Sequence, residues 1–576
     1  MLGTAPARSS YIHSLKYRLA ATELVAVHGV LPIVIVSGLH LAAIALMGWY
    51  EFDIVPKAAF ILTWGLLNFF WLAVLRRPGI SAALSLVMIA ILILLSELKH
   101  QILFLTLNFV DLMIIDTDSI AFLFTIFPNL GSTVGIVAAV TVPILALVWW
   151  LDPFRVRLRS ALAGTSACLV GLTGLSFATA LEPFEAFYGN NHVSNFARSG
   201  VSAISELFTH GLMESDAVVT DRLKSTVDVV CAPASKPPHI IMVHDESSFD
   251  IRSAPGIKVP ADYGPHFKSF DGKERNFLVE GVGGPSWYAE YNVLTGLSAR
   301  SFGRFSYFVT RIAAGRVVRG LPNALRRCGY RTFSLYPSFG AFMSARTFQT
   351  TTGVQKFVDA TDMGTKGLQP DKFYYDAASR MIDGEHRKGP MFLFVYLAAN
   401  HFPWDYRFRP DLMPQWRDLE NKPEVNEYLR RQSMSAQDYA GFVASLKQNY
   451  PEESFLLVRY GDHQPEFAAN VMDPSLDEAG IAQRLMNYDP KYYTTYYAID
   501  AINFTPADMS SAIDTLDGPY LPLVVQEAAG LPLDPSFVEQ KKIFKRCGGI
   551  FYACNGGAEV RHFNRLLIDA GLIKQL

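Results

Sequence analysis

Two rhythms of apolar and polar positions divide this chain. Before residue 182 the apolar residues come in long, nearly unbroken runs. From His239 onward they come in short runs separated by longer amphipathic stretches. Crossing the hydrocarbon of a bilayer takes roughly 17–25 apolar residues in a helix. Five segments meet that length, near 24–48, 58–75, 80–97, 133–151 and 160–181. A sixth apolar run, 102–127, is interrupted by Asp111, Asp116 and Asp118 and reads as an interfacial or re-entrant piece. The polar, basic residues 1–23 and the length of the first apolar run exclude a cleavable signal peptide reading.

The short runs predict strands at 239–244, 276–282, 331–336, 391–397 and 455–460, and the amphipathic stretches predict helices at 287–296, 314–328, 373–382 and 424–449. Strand and helix in alternation imply an α/β domain. Strands apolar throughout belong in a sheet covered on both faces. The connection runs through a helix-like stretch, Phe187 to Leu212, suited to a membrane surface, and ends in Ala232-Pro-Ala-Ser-Lys-Pro-Pro238. The expected organisation is therefore a cytoplasmic N-terminus (1–23), a transmembrane domain (24–182), connecting helices and linker (183–232), and an extracytoplasmic domain (233–576).

Charge supplies the orientation. Arg8, Lys16 and Arg18 precede the first span, Arg76 and Arg77 follow the second, and Arg155, Arg157 and Arg159 follow the fourth. The intervening loops carry Glu51, Asp53 and the three aspartates. Positive loops stay in the cytoplasm, so five spans put the α/β domain outside it. The balance of 51 Lys+Arg against 53 Asp+Glu offers no basic face for nucleic acid. Four of the five cysteines, Cys231, Cys328, Cys547 and Cys554, lie in the exported part, where disulfides are permitted. Cys547 and Cys554 flank a short glycine-containing turn and could pair, and Cys231 with Cys328 is a further candidate; four reduced thiols are the alternative, since sequence does not give connectivity.

The candidate chemistry lies just past the predicted strands, where ligands bind in sheets of this kind. Glu246 follows an apolar run in His239-Ile-Ile-Met-Val-His-Asp-Glu-Ser-Ser-Phe249, as a metal-ligating carboxylate or as a turn cap. Ser286 follows Gly283-Gly-Pro, as a nucleophile or as the N-cap of a helix. Asp462 and His463 stand together in Tyr460-Gly-Asp-His-Gln-Pro-Glu466 and suit zinc or manganese. His401, in Asn400-His-Phe-Pro403, could donate to a phosphate or a leaving group, and Arg346 could clamp a phosphate. Each has an ordinary structural alternative, a packed histidine or a surface arginine among them.

Taken in order, these segments resemble the membrane-bound branch of the alkaline phosphatase/sulfatase superfamily. That branch contains the lipoteichoic acid synthases, the phosphoglycerol transferases of periplasmic glucans and the lipid A phosphoethanolamine transferases. The wording that carries the resemblance is Glu246-Ser-Ser-Phe, Gly-Gly-Pro-Ser286, Glu290-Tyr-Asn-Val-Leu-Thr-Gly296, Tyr336-Pro with Arg346, Gly353 and Phe357, Asn400-His-Phe-Pro403, and Tyr460-Gly-Asp-His-Gln-Pro465. The resemblance implies an N-terminal transmembrane domain of about five helices plus a C-terminal α/β sulfatase-like domain. It implies one divalent metal, manganese favoured over zinc, on Glu246, Ser286, Asp462 and His463. Ser286 would be the catalytic nucleophile, and His401 and Arg346 would bind substrate. Two positions depart from the pattern. Ser286, after a proline, stands where the family usually has threonine, and Ser344 stands where a tryptophan often precedes the arginine.

The implied reaction moves a phosphoglycerol headgroup from a membrane phospholipid, phosphatidylglycerol favoured, to a hydroxyl of an envelope glycan or lipid. It would take place at a bacterial inner membrane, with the catalytic domain in the periplasm. A phosphoethanolamine transferase, a headgroup hydrolase and a non-catalytic envelope protein are the alternatives. Cys231-Ala-Pro-Ala-Ser235 lacks the arginine of a formylglycine motif and precedes the first predicted strand, which excludes a true sulfatase.

Overall fold

The computed structural model describes residues 9–103, 105–114, 120, 123–124, 129–179, 189–209, 211–215, 217–218, 222–223, 231, 233 and 236–574, with side chains from residue 30 except at 102, 103 and 114. Of the 102–127 run, Phe109–Ile114 forms a short 3-10 helix, while Asp116 and Asp118 lie outside the described residues, as do Phe187 and part of the predicted linker. The chain forms two compact units: 1–109 with 129–202, and 110–128 with 203–576.

The first unit is helical. Helices α1 (Ser9–Tyr50), α2 (Ile54–Leu75), α3 (Pro78–Leu103), α4 (Leu130–Leu151) and α5 (Leu158–Ala178) each hold a stretch long and apolar enough to cross a membrane. Their outer faces carry exposed Ile33, Leu41, Ile61, Val140 and Val170. In water such faces would have to be covered; hydrocarbon accommodates them directly. Polar groups secure the helix ends. Asp152 Oδ2 accepts from the N–H groups of Gly79 (2.6 Å) and Ile80 (3.1 Å) at the start of α3. Glu51 accepts from Val193 N–H (3.0 Å) and Ser194 Oγ (2.6 Å) at the start of α6 (His192–Thr209).

The second unit is built on an eight-stranded sheet. Its strands are β1 (His239–Asp245), β2 (Asn276–Leu278), β3 (Arg331–Leu335), β4 (Lys356–Val358), β5 (Met391–Tyr396), β6 (Phe455–Gly461), β7 (Thr494–Ile502) and β8 (Thr515–Asp517), in the order β4-β3-β5-β1-β6-β7-β2-β8. The block β4-β3-β5-β1-β6 is parallel, and β7 runs antiparallel to both β6 and β2. Both faces are covered. Ile240, Met242, Phe392, Phe394, Leu456 and Val458 enter one core; Ile241, Val243, Leu393, Val395, Phe455 and Leu457 enter the other. Burial on both sides is why these strands read as continuous apolar runs.

Strands β1, β3, β5 and β6 lie where the sequence predicts them, and the helices α7 (Ser286–Thr295), α8 (Asp371–Glu385) and α9 (Pro423–Asn449) match three of the predicted helices. Two elements differ. The predicted strand 276–282 stops at Leu278, ahead of a glycine-rich turn that includes Gly283 at φ +73°. The predicted helix 314–328 is interrupted: one helix ends at Ala313, Gly315 turns at φ +75°, and the next runs Leu321–Arg327.

Candidate active site

Strand register builds the site. β1 and β6 pair with His244 opposite Tyr460 and Asp245 opposite Gly461. The next residues on each strand, Glu246 and Asp462, therefore emerge side by side at the carboxyl end of the sheet. Gly461 cannot be replaced there, because a Cβ would lie 1.7 Å from the Ser248 carbonyl oxygen. Ser247, just past β1, has φ +50°, a conformation a serine holds only when its surroundings impose it. Those surroundings are Asp462 Oδ1, which accepts from Ser247 N–H (2.7 Å), and the Tyr428 hydroxyl on α9, which donates to the Ser247 carbonyl (3.0 Å).

The turn before α7 brings in the serine. Gly283 N–H donates to the Gln464 carbonyl (3.1 Å), which ties this turn to the loop after β6. Gln464 in turn donates to the carbonyls of Lys491 (2.9 Å) and Thr494 (2.8 Å), which ties that loop to β7. Ser286 is the first residue of α7 rather than its N-cap, and Pro285 occupies the cap position. Its Oγ lies 3.3 Å from Glu246 Oε2 and 3.2 Å from His463 Nε2. His463 Nε2 also lies 3.6 Å from Glu246 Oε1 and 3.4 Å from Asp462 Oδ2. All four residues are buried.

The electrostatics follow from this crowding. Burial alone would lower the His463 imidazole, but the Asp462 charge and Glu246 raise it above the ordinary histidine value. Burial alone would raise Asp462, but His463 and His244 hold it below the usual carboxylate range. One helical turn beyond Ser286, burial pushes Glu290 up to about 8, against a hydrogen bond from Gln349 Nε2 (2.8 Å).

The donor set fits a divalent cation. Two carboxylates, a hydroxyl and an imidazole nitrogen face one another. His463 Nδ1 lies 2.8 Å from the Gln464 carbonyl, which can only accept, so the neutral ring carries its proton on Nδ1 and turns the Nε2 lone pair inward. Glu246, Ser286, Asp462 and His463 are thus brought together from three distant segments. His401 follows β5 with Nδ1 2.8 Å from the Phe402 carbonyl and its ring stacked on Phe402. Arg346 donates to Asp359 Oδ2 (2.7 Å), Asp362 Oδ2 (3.1 Å) and the Phe357 carbonyl (3.1 Å).

The sequence reading passed over His244 and Tyr460. His244 Nε2 lies 3.1 Å from Asp462 Oδ2, and its Nδ1 lies 2.7 Å from the Tyr460 hydroxyl. The signal was present in strand periodicity, since His244 and Glu246 are two apart and share a face.

The fold is that of a region of apolar helices followed by a sulfatase-like domain. Residues 285–494 match the Sulfatase family model, a segment that contains Ser286, Arg346, His401, Asp462 and His463. No curated protein sequence matches the chain. Among solved structures, the phosphoethanolamine transferase EptA from Neisseria meningitidis is similar at 12% identity and TM-score 0.50, over 82% of this chain and 95% of that one. That likeness of fold extends over the helical region as well as the domain. The lipoteichoic acid synthase LtaP from Listeria monocytogenes matches at 17% identity and TM-score 0.40, over 54% of this chain and 75% of that one. The Streptococcus pyogenes phosphoglycerol transferase GacH, solved with sn-glycerol-1-phosphate, matches at 15% identity and TM-score 0.44, over 61% and 86%.

Proposed function

We propose that this protein transfers a phosphoglycerol headgroup from a membrane phospholipid to a hydroxyl of a cell-envelope glycan or lipid, through a covalent intermediate on Ser286. The observation that carries this reading is the position of Ser286 Oγ, within 3.3 Å of both Glu246 and His463 at the start of a helix. A helix N-terminus favours the negative charge of a phosphoryl group.

A divalent cation held by Glu246, Ser286, Asp462 and His463, manganese in preference to zinc, would stabilise charge on a phosphoryl oxygen and lower the pKa of the serine hydroxyl. The rest is the work of the chain. Ser286 gives up its proton and forms a bond from Oγ to phosphorus. The phosphorus–oxygen bond to diacylglycerol breaks, and diacylglycerol leaves with a proton. An acceptor hydroxyl then attacks the same phosphorus, the bond to Oγ breaks, and Ser286 regains a proton. His401 and Arg346 bind the phosphate or the acceptor in this scheme.

The wording Asn400-His-Phe-Pro403 and Gly461-Asp-His-Gln-Pro465 favours phosphoglycerol over phosphoethanolamine. The disulfides Cys231–Cys328 and Cys547–Cys554 support an oxidising compartment, and with the loop charges they favour a domain outside the cytoplasm. The five apolar helices would keep the site at a surface rich in donor lipid.

Mass spectrometry of the full-length protein incubated with labelled phosphatidylglycerol or phosphatidylethanolamine tests the reading. A glycerophosphoryl adduct on Ser286 is expected. A phosphoethanolamine adduct would change the donor, and no adduct from either lipid on metal-loaded protein would overturn the transfer.

A further inference from the structure

His244, Glu246 and Asp462 form a cluster whose candidate ligand atoms all lie within 4.8 Å of one another. By spacing alone His244 would be a metal ligand. We infer instead that His244 is a positioning residue: it accepts a hydrogen bond from Tyr460 at Nδ1 and donates one from Nε2 to Asp462, orienting that carboxylate for the cation. This rests on the reading of the site as a metal centre.

The argument turns on where each imidazole keeps its proton. Asp462 Oδ1 is occupied by two backbone donors, Ser247 N–H at 2.7 Å and His463 N–H at 2.9 Å. Its Oδ2 therefore faces the site, with His463 Nε2 at 3.4 Å and His244 Nε2 at 3.1 Å. The two rings differ on their far sides. His463 Nδ1 meets a carbonyl, which has no hydrogen to give, so the neutral ring keeps its proton on Nδ1 and leaves the Nε2 lone pair for the cation. His244 Nδ1 meets the Tyr460 hydroxyl at 2.7 Å.

Among the described residues that hydroxyl has no other hydrogen-bond partner, and Tyr460 is fully buried. Were Nδ1 to hold the proton, the phenol hydrogen would be left unpaired in the core, a large cost for a buried donor. With the phenol donating, every hydrogen is used: Tyr460 O–H to Nδ1, and Nε2–H to Asp462 Oδ2. A nitrogen that carries a hydrogen cannot ligate a metal.

The ring is also fixed in plane. It stacks on Tyr396 at 3.8 Å between centroids, with 20° between planes. Its backbone pairs with β5 on one side and β6 on the other. The consequence concerns the metal. With His244 outside the donor set, one imidazole nitrogen stands with oxygens from Glu246, Asp462 and Ser286, and an oxygen-rich set suits manganese better than zinc.

The test uses full-length wild type, His244→Ala, His244→Gln and Tyr460→Phe, loaded with Co(II) or Mn(II) alone. Affinity is read by chelator competition and the ligand set by the Co(II) visible spectrum. His244→Ala is expected to weaken binding by about 10- to 100-fold, the usual cost of losing such a support, with Co(II) band positions unchanged. His244→Gln, which keeps an N–H for Asp462, should recover most of the loss. Tyr460→Phe should weaken binding without moving the bands. Should His244→Ala fail to fold, the other two variants decide.

Shifted Co(II) bands in a His244 variant, no rescue by glutamine, or unchanged affinity in His244→Ala would each overturn the inference while wild type still binds metal. Wild type that binds neither ion would instead overturn the reading of the site as a metal centre.

Discussion

Ser286 Oγ and His463 Nε2 stand 3.2 Å apart although 177 residues separate them in the chain. A hydroxyl that close to an imidazole and a carboxylate is placed for nucleophilic work. Ser286→Ala is predicted to lower headgroup transfer by at least roughly a thousandfold, as loss of a nucleophile does. Ser286→Thr keeps the hydroxyl and should remain active. Transfer of labelled headgroup from phosphatidylglycerol vesicles measures both, and an alanine variant with wild-type rate would remove Ser286 from the mechanism.

Metal affinity should depend on pH with a definite sign. The neighbouring carboxylates hold the His463 proton above the ordinary histidine value, so in the metal-free protein the ring is protonated through the neutral range. Binding must displace that proton. Affinity is therefore predicted to rise with pH past 6.5, by close to tenfold per unit, until His463 loses its proton unaided. Chelator competition across pH 6 to 9 reads this slope, and a flat profile would exclude His463 as a ligand.

Glu290 should make the fold weaker in mild base. Burial raises its folded pKa to about 8, from an ordinary value of 4.5. The neutral carboxyl is the form the core accepts, so its contribution is complete below 4.5 and is lost as pH climbs to 8. Glu290→Gln keeps an acceptor for Gln349 and carries no charge. Its melting temperature should fall less than that of wild type between pH 5 and 8, with the variant more stable at pH 8. Parallel melting curves would contradict the assignment.

Arg431 should matter to the loop that carries His401. It is fully buried, bonds Glu427 (2.7 Å), and donates to the carbonyls of His401 (2.8 Å), Pro403 (2.8 Å) and Tyr406 (3.2 Å). Breaking a buried pair costs about 3–5 kcal/mol, and here Glu427 retains Arg430, which argues for the lower end. Arg431→Met is predicted to lose about 3 kcal/mol in denaturant titration. It should also slow transfer while metal affinity stays at the wild-type level. A variant that lost metal instead would show that the loop supports the cation site itself.

The parts of the fold that were legible in the sequence are those governed by burial on all sides. β1, β5 and β6 read as strands because both faces are covered, and α1 to α5 read as spans because their long apolar stretches carry almost no charge. β4 and β8, of three residues each, are too short to show a period. β7 is nine residues long, but its run Thr-Thr-Tyr-Tyr-Ala-Ile-Asp-Ala-Ile mixes polar and apolar positions without regular alternation. It was missed, and with it the antiparallel edge of the sheet.

The sequence by itself determined the long apolar spans, the α/β character of the domain and the kinds of donor atom that follow the strands, because those depend on local composition and period. Only the tertiary structure decided which donors meet. The register of His244 against Tyr460 sets Glu246 beside Asp462, and the turn at Gly283 delivers Ser286 to both. It also put different partners behind the two histidines that stand beside one carboxylate. The tautomer of a ring is set by the hydrogen-bond partner behind it, a phenol for His244 and a carbonyl for His463. The phenol is 216 residues away in the chain, so no local pattern could announce it.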